Sequence, residues 1–194
     1  VYIVALNAIL SGFSDAAVTV LGLYYKLQTF FFIPLIGLET CIVPVLSFNY
    51  AVRSYDRCRE TMKDTFLFSA VFMLVGVVCL GFFPSALLRI FSNSSEVLAI
   101  GKQAFPIIGA SFVPAVFSLM TPVFFQAIGN GQVSVLLSVL RQIVCLIPIF
   151  WALSLLGLSY TWFAFPISEV LVGCFGMALY RKTVKRWQIE NPLS

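Results

Sequence analysis

Two carboxylates and one guanidinium lie within long apolar stretches of the sequence, where charged groups are costly. Glu39 stands in the apolar stretch of residues 21–48, and Arg141 and Glu169 stand in two later ones. The first stretch also contains or borders three further polar side chains: Lys26, Gln28 and Asn49. A carboxylate among apolar groups can take up a proton reversibly or bind a cation, because burial disfavours its charged form. We therefore interpret these residues as the lining of a polar pathway.

The composition indicates the environment that surrounds this pathway. The chain of 194 residues is 60% hydrophobic and 10% charged, whereas a soluble domain carries about 25% charged residues. So little charge cannot cover a water-exposed surface, so we predict an integral membrane protein. About 20 apolar residues suffice to cross a bilayer, which leaves room for five or six spans and no soluble domain.

The sequence also excludes several kinds of catalytic and metal chemistry. It has no histidine, which removes histidine general bases, Ser–His and Cys–His nucleophile pairs, and histidine metal ligands. Its five cysteines are scattered and never spaced as Cys-x-x-Cys, which is typical of small core residues. We therefore predict a protein that is not an enzyme and that has no metal site and no cofactor.

Apolar runs separated by turn residues predict an all-α, polytopic transmembrane bundle of six helices. Their approximate bounds are residues 1–13, 16–51, 58–83, 97–128, 133–156 and 160–187. Residues 1–13 are too short to span a bilayer, so we expect the first helix to be truncated. The third helix has no ionisable residue in its apolar part, so we expect that part to face lipid.

Prolines interrupt the second and fourth predicted helices. Pro34, Gly37 and Pro44 lie on one stripe of the second helix, and Pro114 and Pro122 lie in the fourth. A proline removes one backbone hydrogen bond and its ring clashes with the preceding turn, so we predict kinks at these positions. A static bend and a hinge that changes its angle both remain open.

Two basic segments set the predicted orientation. Residues 53–63 and residues 181–186 each contain four Lys or Arg side chains, without the interleaved aromatics of a nucleic-acid surface. Four predicted crossings separate them, so both segments lie on the same side, and the positive-inside rule makes that side the cytoplasm. We predict a multi-pass protein of the cell membrane, surrounded by lipid, with a cytoplasmic C-terminus and no nucleic-acid partner.

Short motifs occur along the chain in a characteristic order. They are LQTF at 27–30, PLIGL at 34–38, SFNYA at 47–51, FQAIG at 125–129, LRQ at 140–142 and PISE at 166–169. In order and spacing the chain resembles the C-terminal half of the multidrug and toxic compound extrusion (MATE) family. Two departures are Ala51, where the family often has glycine, and Glu39, where an uncharged residue is expected.

The resemblance implies one lobe of a twelve-helix antiporter, whose two six-helix lobes rock to give alternating access. The other partners would be an N-terminal lobe of the same protein and small organic substrates, often cationic, expelled in exchange for Na⁺ or H⁺. Some members of the family carry coupling carboxylates in the first and fourth helices of this lobe. The fourth helix here has none in its apolar part, so the coupling ion and its site stay open.

Depth along the helices separates the candidate residues. Glu39 lies about 15 Å along a helix from Asn49, near the centre of a hydrocarbon core about 30 Å thick, and Glu169 lies at a similar depth. For Glu169 we favour a structural ion pair with Arg141. For Glu39 we favour a role in transport, sharing a face with Gln28.

The remaining candidates lie closer to the helix ends or are aromatic. We expect Asn49 and Gln126 near the cytoplasmic ends, as packing or gate contacts rather than substrate ligands. Aromatic rings on cleft-facing helices offer cation–π contacts to a cationic substrate, and the candidates are Tyr24, Phe32 and Phe125.

The alternative function is a flippase for lipid-linked oligosaccharides, from a related fold. Its cavity would need several cations to hold a pyrophosphate. Only three cations of this sequence could line such a cavity: Lys26, Lys102 and Arg141.

Overall fold

The computed structural model describes residues 2–190, with side chains through Gln188. Within this range the chain is all-α and contains no strand. The helices are α1 (Tyr2–Ser11), α2 (Asp15–Ala51), α3 (Tyr55–Phe82), α4 (Pro84–Arg89), α5 (Ser95–Gly109), α6 (Phe112–Ala127), α7 (Gly131–Val139), α8 (Ile147–Ser154), α9 (Leu158–Thr161) and α10 (Ala164–Glu190). A π-helical segment, Leu140–Leu146, joins α7 to α8. The predicted helical fold class is confirmed.

Four rods in the described part of the chain are long and apolar enough to cross a membrane. They are α2, α3, the continuous rod Gly131–Ser154, and Leu158–Gln188. The pair α5 and α6 is bent by 50° and adds a fifth span if it is one broken helix. The ten-residue α1 is apolar but shorter than a span. The chain is therefore a polytopic bundle of four to five full spans with α1 packed beside α2.

Capping residues and turns define several helix ends. The Ser14 hydroxyl accepts a hydrogen bond from the Ala17 amide at 3.2 Å, which caps the start of α2. Arg53 adopts a left-handed φ of 58° in the short turn between α2 and α3. Gly129 has a φ of 80° in the turn between α6 and α7. A residue with a side chain would be strained in this backbone conformation.

Prolines explain the two irregular places in the spans. The bend between α5 and α6 falls at Ala110–Ser111, directly before Pro114, whose missing amide cannot bond to the Ala110 carbonyl. Pro148 likewise cannot bond to the carbonyl of Val144, and the backbone upstream adopts the wider π-helical pattern. In contrast, α2 is assigned as one helix through Pro34 and Pro44, and α6 as one helix through Pro122.

One side of α3 packs into the core and the other side is exposed. Its buried residues recur every three or four positions: Cys58, Met62, Thr65, Ser69, Met73, Gly76 and Leu80. A Cβ on Gly76 would lie 2.6 Å from the Phe112 ring, so this glycine allows α3 to approach α6 closely. The opposite face exposes Leu67, Phe68, Val71, Phe72, Leu74, Val75 and Val78. Only this face of α3 can contact lipid. The expectation that the whole apolar part of the third predicted helix faces lipid was therefore too broad.

Candidate functional site: a polar cleft beside a buried ion pair

Arg141 and Glu169 form an ion pair inside the bundle. The Arg141 Nη2 atom lies 2.9 Å from Glu169 Oε1, and Arg141 Nε lies 3.0 Å from Oε1 and 3.1 Å from Oε2. The two side chains are 15% and 11% exposed. A planar guanidinium that shares both carboxylate oxygens makes a directional contact as well as a charge contact. This is the pairing that the sequence favoured for Glu169.

Close packing of α6 against α10 places a third side chain in this contact. Glu169, Gly173 and Gly176 lie on one face of α10, at steps of four and three residues. A Cβ on Gly173 would lie 3.3 Å from the Pro114 carbonyl, and a Cβ on Gly176 would overlap the hydroxyl of Thr121. Because two glycines remove these obstacles, the fully buried Ser118 of α6 can donate its hydroxyl proton to Glu169 Oε2.

The π-helical segment supplies the guanidinium. Arg141 is its second residue, and Pro148 stands just beyond its end. A π-helical turn changes the direction of side chains relative to an α-helix, and such turns occur often at functional sites. The aromatic hydroxyls of Tyr2, Tyr24 and Tyr25 lie within electrostatic range of the Arg141 charge. The hydroxyl of Tyr25 is buried and has no hydrogen-bond partner among the described residues.

A polar cleft of about 220 Å³ opens beside this ion pair, between α2, α6 and α7. Its lining residues are Glu39, Ser118, Leu119, Pro122, Val123, Gln126, Ser134, Ser138, Arg141 and Gln142. Three of the predicted site residues, Glu39, Gln126 and Arg141, therefore meet in one cleft. Glu169 contacts the cleft through Arg141 and Ser118 and also borders an apolar groove of about 500 Å³ between α6 and α10.

Glu39 is the unpaired acid of the cleft. Its side chain is half-buried, and no hydrogen bond or ion pair to it is found among residues 2–188. Its charge interacts with that of Arg141 across the cleft. The Arg141 charge is already shared by both oxygens of Glu169, so the Glu39 carboxylate keeps its capacity to bind a proton or a cation.

Sequence reasoning missed the hydroxyl and amide groups of this cleft. Ser134, Ser138 and Gln142 recur at steps of four, which puts them on one face of the rod with Arg141. This periodicity was visible in the sequence. Ser118 had no such signal, because its contact with Glu169 depends on how closely α6 and α10 approach.

Other candidates lie away from the cleft. Gln28 is half-buried but does not line it, although a straight helix would put it on the face of Glu39. Asn49 donates its side-chain amide to the Val45 carbonyl of its own helix at 2.8 Å. Lys26 is exposed and lies 5.9 Å from the centre of the Phe91 ring, which suits an anchor at the membrane surface.

The three aromatic side chains proposed as substrate contacts pack mostly against other residues of the protein. Tyr24 and Phe125 are each 2% exposed. The Phe32 ring packs at 5.4 Å from the Phe112 ring. None of the three lines the polar cleft.

A bundle of membrane-length helices with a charged cleft between α2, α6 and α7 defines the chain as a polytopic membrane protein with a polar site. The MatE family model matches residues 1–152. The chain belongs to the MatE family. This is the family that the sequence motifs resemble.

Curated relatives match most of the chain but less than half of their own length. The chain is 21% identical over 174 residues to the multidrug export protein MepA of Staphylococcus saprophyticus, covering 90% of this chain and 38% of that protein. The MepA protein of Staphylococcus haemolyticus is 21% identical over 186 residues, which cover 95% and 41%. The chain thus spans about two fifths of the length of these relatives.

Solved structures share the fold at similar coverage. An outward-facing multidrug resistance MATE family transporter of the MOP superfamily gives a TM-score of 0.89 at 20% identity, covering 96% of this chain and 43% of that one. A MOP superfamily transporter from Pyrococcus furiosus gives a TM-score of 0.88 at 20% identity, covering 96% of this chain and 43% of that one. A MATE structure in the straight conformation gives a TM-score of 0.90 at 18% identity, with the same coverage of both chains. At these identities the likeness establishes the fold.

Proposed function

We propose that this chain is one lobe of a secondary active antiporter that exports organic, often cationic, compounds in exchange for Na⁺ or H⁺. The observation that carries the proposal is that an unpaired carboxylate, Glu39, faces a polar cleft inside a membrane-spanning bundle. An ionisable group at this depth is costly and is usually retained for function. The multidrug export proteins that the chain resembles are more than twice its length, which leaves room for a second lobe.

The charges at the site suggest how exchange would work. Glu39, Glu169 and Arg141 together carry one net negative charge when all three are ionised. An organic cation in the cleft would neutralise Glu39, and so would a proton or Na⁺. The two ligands therefore compete for one carboxylate, and binding of the coupling ion would release the substrate.

Alternating access needs a second wall for the cleft. In this proposal an N-terminal lobe of the same protein closes the open side of the cleft, and rocking of the two lobes exposes Glu39 to one side of the membrane at a time. The ion pair Arg141–Glu169 would keep the helices of this lobe together as it moves. Pro34, Gly37, Pro44, Pro114 and Pro122 remain candidates for bends or hinges in these helices.

The orientation rests on the two basic segments. A single groove is lined by Arg59 and Lys63 of α3 and by Arg181 and Lys185 of α10, so both segments lie at the same end of the bundle. By the positive-inside rule we assign this end, with the C-terminus, to the cytoplasm.

The flippase alternative finds no support in the cleft. A pyrophosphate would need several cations, but Arg141 is the one cation among the lining residues and it is paired with Glu169. Lys26 and Lys102 are exposed and do not line the cleft.

Transport can be tested with the complete protein that contains this chain. We expect its expression in bacteria that lack their own efflux pumps to lower the steady accumulation of ethidium. A protonophore should restore accumulation if the ion is H⁺, and a Na⁺ ionophore should do so if it is Na⁺. The 194-residue chain by itself is the matched control and should leave accumulation unchanged. Ion-driven uptake into vesicles that contain only this chain would contradict the proposal of a half-transporter.

A further inference from the structure

Four exposed apolar residues flank α4, at the end of the bundle opposite to the two basic segments. They are Phe82, Phe83, Ile90 and Phe91, which are 79%, 57%, 71% and 45% exposed. Because α4 has six residues and is about 9 Å long, the pairs on either side of it lie close together. We call these four residues the α4 patch. A turn in water rarely displays so much apolar surface, so the patch indicates contact with a partner.

A buried leucine fixes the outward direction of the α4 patch. Leu88 of α4 is fully buried. Its side chain fills the space beside Gly101 of α5, where an added Cβ would lie only 2.5 Å from the Leu88 Cδ1 atom. The glycine therefore forms a socket for Leu88. Because α4 cannot roll without emptying this socket, the residues of the patch stay exposed.

Two helices independently place the α4 patch at a membrane boundary. The apolar part of α3 ends at Phe82, 18 residues after its last charged residue, Asp64. This is about 27 Å along the axis, close to the hydrocarbon thickness of about 30 Å. On α2, Lys26 lies 13 residues before Glu39, about 20 Å from the middle of the membrane and outside a half-layer of about 15 Å. The Lys26 amine lies 5.9 Å from the centre of the Phe91 ring, so both measures meet at the patch.

The position of the α4 patch favours lipid over a second lobe as its partner. The main packing neighbours of α4 are α3 and α5, and neither helix lines the polar cleft. A second lobe that closed the cleft would therefore leave the patch uncovered. The patch also continues the exposed face of α3, where exposed residues at steps of four, three and four lead into it: Val71, Val75, Val78 and Phe82. The apolar surface is thus continuous from α3 to the patch.

We propose that the α4 patch inserts into the lipid layer just below the headgroups, on the side opposite to the basic segments. Apolar rings are favoured at this level. The exposed Lys26 and Arg89 extend to the phosphates above. Through Leu88 the inserted patch holds α5, the first half of the bent pair, at a fixed depth. Apolar contact drives the insertion, so it needs no anionic lipid and stands whether or not the protein exports drugs.

Spin-label accessibility in the complete protein, with native cysteines replaced, tests this insertion in phosphatidylcholine vesicles. A nitroxide on Phe83→Cys or Ile90→Cys collides with O₂, which concentrates in hydrocarbon, and with a polar nickel chelate, which stays in water. We expect the ratio of the O₂ to the nickel collision rate to be severalfold higher at both positions than at Asn93→Cys. Asn93 is the matched control, because it is an exposed residue in the polar turn between α4 and α5.

The pair Phe82→Gln with Ile90→Gln tests whether the apolar residues cause the insertion. These are the two most exposed residues of the α4 patch, so their replacement should leave the packing of the bundle intact. In this background the ratio at Phe83→Cys should fall to near that of Asn93→Cys. An unchanged ratio at Val71→Cys, on the exposed face of α3, shows that the fold is retained.

Three results would overturn the proposal. Equal ratios at Phe83→Cys, Ile90→Cys and Asn93→Cys would place the α4 patch in water. Low collision rates with both reagents at Phe83→Cys and Ile90→Cys would show that protein covers the patch, either the second lobe or another copy of the chain. An unchanged ratio at Phe83→Cys after Phe82→Gln with Ile90→Gln would show that these apolar residues do not hold the segment in lipid.

Discussion

Arg141→Gln is expected to destabilise the protein by about 3–5 kcal/mol, the cost of leaving one partner of a buried ion pair without the other. The substitution leaves the Glu169 carboxylate with only the Ser118 hydroxyl as a described partner. The side chains of the pair are 15% and 11% exposed, so water replaces the lost guanidinium only in part. The free energy of unfolding, measured by SDS titration of the complete protein in mixed micelles, reports the loss.

The double substitution Arg141→Gln with Glu169→Gln separates the effect of the charges from the effect of side-chain packing. Two amides of similar size can bond to each other and leave no buried charge, so the double variant should be more stable than either single variant. The exposed pair Arg57–Glu60 is the matched control, with side chains 73% and 62% exposed. Arg57→Gln should cost less than about 1 kcal/mol. Equal losses from Arg57→Gln and Arg141→Gln would show that the buried pair does not hold the lobe together.

Glu39→Gln is expected to reduce ethidium efflux to near the level of cells that lack the protein. The amide has nearly the same shape as the carboxylate but cannot bind a proton or neutralise a cation, so the competition between ion and substrate is lost. Folding should be unaffected, because Glu39 makes no hydrogen bond or ion pair within the described residues. Efflux per cell, normalised to the protein in the membrane fraction, is the measurement.

Glu96→Gln provides the control for this experiment. Glu96 is an exposed acid in the first turn of α5 and does not line the cleft. Its replacement removes the same charge and should leave efflux at the wild-type level. Unchanged efflux in Glu39→Gln, at normal protein level, would remove Glu39 from the mechanism.

The class of the protein could be predicted because it depends on composition and length. A chain with 10% charged residues and apolar stretches of bilayer length has few alternatives. The pairing of Arg141 with Glu169 was also foreseeable, because two buried opposite charges on neighbouring helices must find each other. Glu39 was singled out for its depth within an apolar stretch, and the structure leaves it without a pairing partner among the described residues.

The detailed geometry could not be read from the sequence, because it depends on helix rotation and close packing. Gln28 shares a face with Glu39 on a straight helix, yet only Glu39 reaches the cleft. The π-helical turn that carries Arg141 and the glycines that bring Ser118 to Glu169 act through tertiary contacts. A periodic pattern fixes which residues share a face but not which neighbour that face meets.

We expect the cleft of Glu39 and Arg141 to be a water-filled path and the outer face of α3 to contact lipid. Cysteine accessibility in the complete protein, with native cysteines replaced, tests it most directly. Ser138→Cys lies in the cleft and Val71→Cys on the exposed face of α3. We predict that a membrane-impermeant thiol reagent modifies Ser138→Cys, that ethidium slows this reaction, and that Val71→Cys stays unmodified. Equal protection of both cysteines from the reagent would contradict the account.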